Sequence, residues 1–61
     1  MLLQPLRYET PLLHWWRLLN AALIRRGADP INFGEAIAMR AVWRDPEVAA
    51  AFVARAQTAG A

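Results

Sequence analysis

The chain has 61 residues, is 57% hydrophobic, and carries seven basic residues against five acidic ones, one histidine and no cysteine. That length holds one domain with one small core, burying about 60% of the surface exposed on unfolding. The composition excludes a disulfide framework, a thiolate zinc site and a cysteine nucleophile, and a net charge of +2 is too small to argue strongly for nucleic acid. Every basic residue is arginine, with 13 alanines and no lysine, a bias that suits a high-GC genome, bacterial or phage. Stability must then come from tight helix packing, oligomerisation or docking onto a larger protein.

Residues 1–9, MLLQPLRYE, carry no helical start and are interrupted by Pro5. Leu2, Leu3, Leu6 and Tyr8 make them too apolar for a solvated tail, so an extended arm packed across another surface is expected. They lack the basic start, apolar run and small-residue cleavage site of a signal peptide. The longest apolar region, Leu12 to Ile24, is broken by His14, Arg17 and Asn20 and is shorter than a bilayer span. The expectation is a soluble, cytoplasmic protein.

Thr10-Pro11 is a strong helix start: threonine caps free N–H groups, and proline at the first helical position gives up a donor that has no partner. The first helix is predicted over residues 11–26, stopped at Gly27, with Arg25 and Arg26 at the negative end of its dipole. Pro30 keeps the linker GADPI out of any helix. Asn32 and Glu35 resemble a capping box, with Ile31 as a staple, and open a second helix over 32–44. Asp45-Pro46-Glu47 repeats the start signature and opens a third over 46–58. The predicted fold is all-α: a compact three-helix domain over 10–61, with the arm over 1–9 and the first two helices roughly antiparallel.

Trp15 and Trp16 are neighbours, so they point about 100° apart on the first helix. Leu12, Trp16, Leu19 and Leu23 form its core stripe, with Trp16 as the core aromatic. Trp15, beside Ala22 and Leu18, is either the edge of that core or a contact with something else. The polar arc of His14, Arg17, Ala21 and Arg25 spans only roughly 80°. The second helix groups Ala36, Met39 and Trp43. The third is read as burying Val48, Phe52, Val53 and Ala56 and showing a small face of Ala50, Ala51 and Ala54.

Chemistry finds little footing. His14 and Arg17 share a face, but no carboxylate is placed to orient the histidine as a base; Glu35 reads as a cap. No phosphate loop, carboxylate pair or metal spacing is present, so neither enzymatic activity, a cofactor nor a small-molecule substrate is expected. A helix-turn-helix from the second and third helices is the first alternative, weakened by a third helix offering only Arg55 and Gln57 to bases. A membrane-surface role for the first helix is the second alternative, weakened by its narrow charged face. The favoured expectation is a protein–protein interaction module (accessory subunit, adaptor, assembly factor or inhibitor) meeting a larger protein or a second copy. Its predicted contact centres on Trp15, Leu18 and Ala22, rimmed by His14, Arg25 and Arg26, because an aromatic anchor ringed by arginine is the usual anatomy of such sites.

Overall fold

A computed structural model of the chain describes residues 10–60, so the arm expected over residues 1–9 lies outside the described residues. It contains α1 (Pro11–Arg25), α2 (Phe33–Arg40) and α3 (Pro46–Gly60), an all-α three-helix domain as the sequence predicts. Thr10 caps α1, its side-chain oxygen accepting from the Leu13 N–H at 3.1 Å. Gly27 closes it at φ 76°, with the Ala28 N–H donating to the Leu23 carbonyl at 2.9 Å and Gly27 N–H to that of Ile24 at 3.0 Å. These two bonds are a Schellman closure. Asn32 Oδ1 accepts from the Glu35 N–H at 2.8 Å, and Asp45 Oδ1 from the Glu47 N–H at 2.9 Å, so both later caps form as their sequences indicate.

α2 is shorter than predicted. It ends at Arg40 rather than Arg44, and the chain tightens through a turn in which the Val42 and Trp43 N–H groups both donate to the Met39 carbonyl. A residue before proline disfavours helix, and Asp45 must stay extended to cap α3, so the intervening residues are used to swing the chain from one side of α1 to the other.

α1 is the spine, and α2 and α3 each pack on it. Ile31 and Phe33 lie at Trp16 while Ile37, Arg40 and Ala41 border Leu12, so α2 runs antiparallel to α1. Arg44 lies at Trp15 while Ala54 and Thr58 border Arg26, so α3 runs in the same sense as α1. The domain is correspondingly elongated, 47 × 22 × 16 Å.

The tryptophan pair is explained by the two connections. Trp15 donates its indole N–H to the Arg44 carbonyl at 2.7 Å, in the link into α3; Trp16 donates to the Ile31 carbonyl at 2.9 Å, in the link into α2. Adjacent positions on one helix thus reach opposite flanks and pin one link each. The expected ranking of the pair is reversed: Trp15 is the core residue at 6% exposure, packed with Leu19, Ala22 and Leu23, while Trp16 is only half-buried with its edge on Phe33. The core side of α1 is rotated towards Trp15 because α3 approaches on that flank.

The orientation of α3 also differs from the one expected, which holds only at Val53. Ala49 and Ala50 are fully buried, Val53 and Ala54 pack beside them, and Val48, Phe52 and Ala56 face outward. Large side chains on α1 already fill the space between the helices, so the partner helix comes close only by presenting alanine. Reading the largest residues of α3 as its core face misses that constraint.

Candidate protein-interaction surface

Trp15 and Ala22, two of the three central residues of the predicted contact, are inside the domain, so the patch does not exist in the expected form. Burial follows from α3 covering that flank and from the indole bond to Arg44. Arg40 adds to the enclosure, its guanidinium carbon lying 5.8 Å from the Trp15 ring centroid. Leu18 stays about half exposed and His14 is exposed. Arg25 and Arg26 are exposed too, and both are engaged by Glu47 at the start of α3.

This three-residue cluster ties the end of α1 to the start of α3. Arg26 donates to Glu47 Oε1 at 2.7 Å and Arg25 to Glu47 Oε2. The hydrogen bond from Arg26, reinforced by the charge of Arg25, holds the Glu47 carboxyl below its ordinary value. The arginines sit at the C-terminal end of α1 and the glutamate at the N-terminal end of α3, so both helix dipoles favour the arrangement.

The apolar surface lies elsewhere. Among the described residues, the large hydrophobic side chains left substantially in water are Leu18, Ile24, Ile37, Val42, Val48 and Phe52. Val48 and Phe52, each 50% exposed, stand one turn apart on the outer face of α3, and Phe52 lies against Trp43 with ring centroids 4.4 Å apart. Arg55 lies beside them, one turn further on, and it borders grooves on both sides of the helix. One, of about 260 Å³, runs between Phe52, Ala56 and Ala59; the other, of about 550 Å³, lies towards Arg26 over Ala51 and Ala54. Among the described residues the walls are mostly alanine with Phe52 and Thr58, and the charged groups they offer are the guanidinium groups of Arg26 and Arg55.

Val48 and Phe52 are the surface residues that the sequence reading misplaces. The signal for them is the alanine row itself: Ala49, Ala50 and Ala54 mark the close-packed side, which turns their large neighbours outward. The arginines are dispersed, with Arg25 and Arg26 on Glu47, Arg40 over Trp15 and Arg55 on α3. No described helix is long and apolar enough to cross a membrane. In comparisons with known proteins, no family model, curated protein or solved structure matches the chain.

Proposed function

We propose that this chain is a small helical protein–protein interaction module, working through the outer face of α3 rather than the Trp15 side of α1. One observation carries the reading. Five of the eight buried core residues are alanine, while six large apolar side chains among the described residues remain outside. Burying a valine, leucine or phenylalanine is worth about 1.5–3 kcal/mol, so the fold leaves much of its available hydrophobic stabilisation unused. Small soluble proteins rarely carry contiguous apolar surface that is not used for binding. Phe52 backed by Trp43, with Arg55 beside it, has the composition of an interface anchor. The dispersal of arginine favours this reading over a nucleic-acid surface, where several bases share one face.

The test is site-specific photocrosslinking in the cells that make the protein. A photoreactive phenylalanine analogue in place of Phe52 is expected to give a discrete covalent protein adduct, to another protein or to a second copy. The same analogue at Glu35, an exposed polar position on α2, is expected to give none. Equal labelling from both positions, or none from position 52, removes the interaction reading.

A further inference from the structure

We propose that the outer face of α3 pairs with the same face of a second copy, antiparallel, about a two-fold axis at the Ala51–Phe52 turn. This rests on the interaction reading above and names its partner. In a two-fold contact one patch must be complementary to itself: if one residue meets another, the second also meets the first. Two adjacent rows on the outer side of α3 have that property. At four-residue spacing, one row is Glu47, Ala51 and Arg55, and the other is Val48, Phe52 and Ala56.

Antiparallel pairing reverses each row against itself. In the first row an acid at one end meets a base at the other, so Glu47 faces Arg55 of the second copy twice over, across a small central alanine. In the second row a large residue meets a small one: Val48 lies over Ala56 of the second copy, and the two Phe52 rings come together at the axis. The row centres differ by one residue, about 1.5 Å along the helix, which the usual tilt of packed helices absorbs. Charge and size therefore ask for the same register. A parallel two-fold pairing would instead set the Glu47–Ala51–Arg55 row against the Val48–Phe52–Ala56 row, leaving both charges against apolar side chains without a partner, and is disfavoured for that reason. Glu47 is already held by Arg25 and Arg26, but its side chain is half exposed, so it can receive a further guanidinium. That contact lies on the rim and selects register, while Phe52 and Val48 supply the affinity.

The size of the face sets the strength. α3 has 15 residues, which makes it about 22 Å long and about 10 Å across, so each copy contributes on the order of 200 Å². Two such faces fall below the ~1,200 Å² of stable complexes, so the pairing belongs with weak, transient contacts and is to be read at micromolar to millimolar concentrations.

Sedimentation equilibrium of the full chain from about 5 μM to 1 mM tests this. The expected average mass rises from the 6.9 kDa of one chain towards twice that, with a single dissociation constant. Phe52→Glu is expected to weaken association at least about tenfold, with helicity by circular dichroism showing that the variant is folded. Because Phe52 also touches Trp43, a charge exchange provides an independent arm. Glu47→Arg and Arg55→Glu should each associate less than the parent when alone, and their equimolar mixture should associate more than either. A chain that stays at one mass up to 1 mM overturns the proposal, as does a mixture no tighter than its components. If the chain is strictly monomeric yet crosslinks from position 52 to a different protein, self-pairing falls and the interaction reading stands. A monomer with no such adduct removes both.

Discussion

Trp15→Ala separates the structure's account of the core from the one based on sequence. The substitution removes a large aromatic at 6% exposure, and core truncations of this kind cost about 3–5 kcal/mol. It also strips the partner from the Arg44 carbonyl, at about 1–3 kcal/mol for a group left unsatisfied, less here because the site is only partly buried. The contact with the Arg40 guanidinium adds about 0.5–1 kcal/mol. The sum is at least about 4 kcal/mol. A domain of 61 residues has a total stability of roughly 3–9 kcal/mol at 0.05–0.15 kcal/mol per residue. Trp15→Ala is therefore expected to remove about half or more of the total stability, lowering Tm by well over ~10 °C.

The assay is thermal and urea unfolding followed by far-ultraviolet circular dichroism, with Trp16→Ala beside it. Trp16 is half-buried and bonded to Ile31, so its loss is expected to cost less and to leave a cooperative transition at lower temperature. If Trp15→Ala melts near the parent, or Trp16→Ala is the more damaging, the helix phase described here is wrong. The sequence reading makes the opposite forecast, with Trp15 replaceable and Trp16 essential.

Three further perturbations probe separate links. Gly27→Ala meets no steric obstacle but keeps a side chain in the left-handed region at φ 76°, costing about 1 kcal/mol and lowering Tm by about 4–8 °C, whereas Gly27→Asn should lose less. Asn20→Ala removes the acceptor for the Ile31 N–H, a 3.1 Å bond that fixes the return of the chain; a loss of about 1–3 kcal/mol is expected, and unchanged amide protection at Ile31 would refute that role. Glu47 has its folded-state pKa lowered by Arg26 and Arg25, so its contribution is present above the ordinary carboxylate value and is lost as pH falls through the lowered one. Stability of the parent should drop in that acid range relative to Glu47→Gln, and parallel pH profiles would count against it.

Much of the fold is legible because it is written locally. Thr10-Pro11, Asn32 with Glu35 and Asp45-Pro46 are caps whose chemistry is complete within four residues, and all three form. Gly27 likewise declares the end of α1 from its own backbone freedom. What sequence cannot supply is which side of α1 receives α3. That depends on the path of residues 41–45, and a modest rotation of α1 exchanges the roles of Trp15 and Trp16. The exposed face of α3 is hidden by the same route: a helix taken to bury its largest residues puts Val48 and Phe52 inside and turns its alanines outward, whereas Val48 and Phe52 are half exposed and Ala49 and Ala50 are buried. Hydrophobicity alone ranks residues by size, whereas a close helix crossing selects for the absence of it.

That selection has a thermodynamic consequence. With Ala36, Ala49 and Ala50 as the contributions of α2 and α3 to the fully buried core, large-residue burial among the described residues rests on Trp15, Leu19 and Leu23 of α1. Val48 and Phe52 are each half exposed, so covering the remainder is worth about 1 kcal/mol per side chain, or about 2 kcal/mol per copy. Against a total of roughly 3–9 kcal/mol this is a sizeable fraction. Folding and the proposed pairing are therefore linked by mass action: a partner that binds only the folded chain stabilises it by RT ln(1 + [L]/Kd), about 1.4 kcal/mol when the partner is at tenfold its Kd. The parent Tm should rise by several degrees between dilute and millimolar solutions, at about 4–8 °C per kcal/mol, while Phe52→Glu should show a lower Tm that does not move with concentration. A parent Tm that is flat across the same range would mean that pairing through the outer face of α3 adds nothing to the folded state's stability, and that the core built on Trp15, Leu19 and Leu23 supports the domain without it.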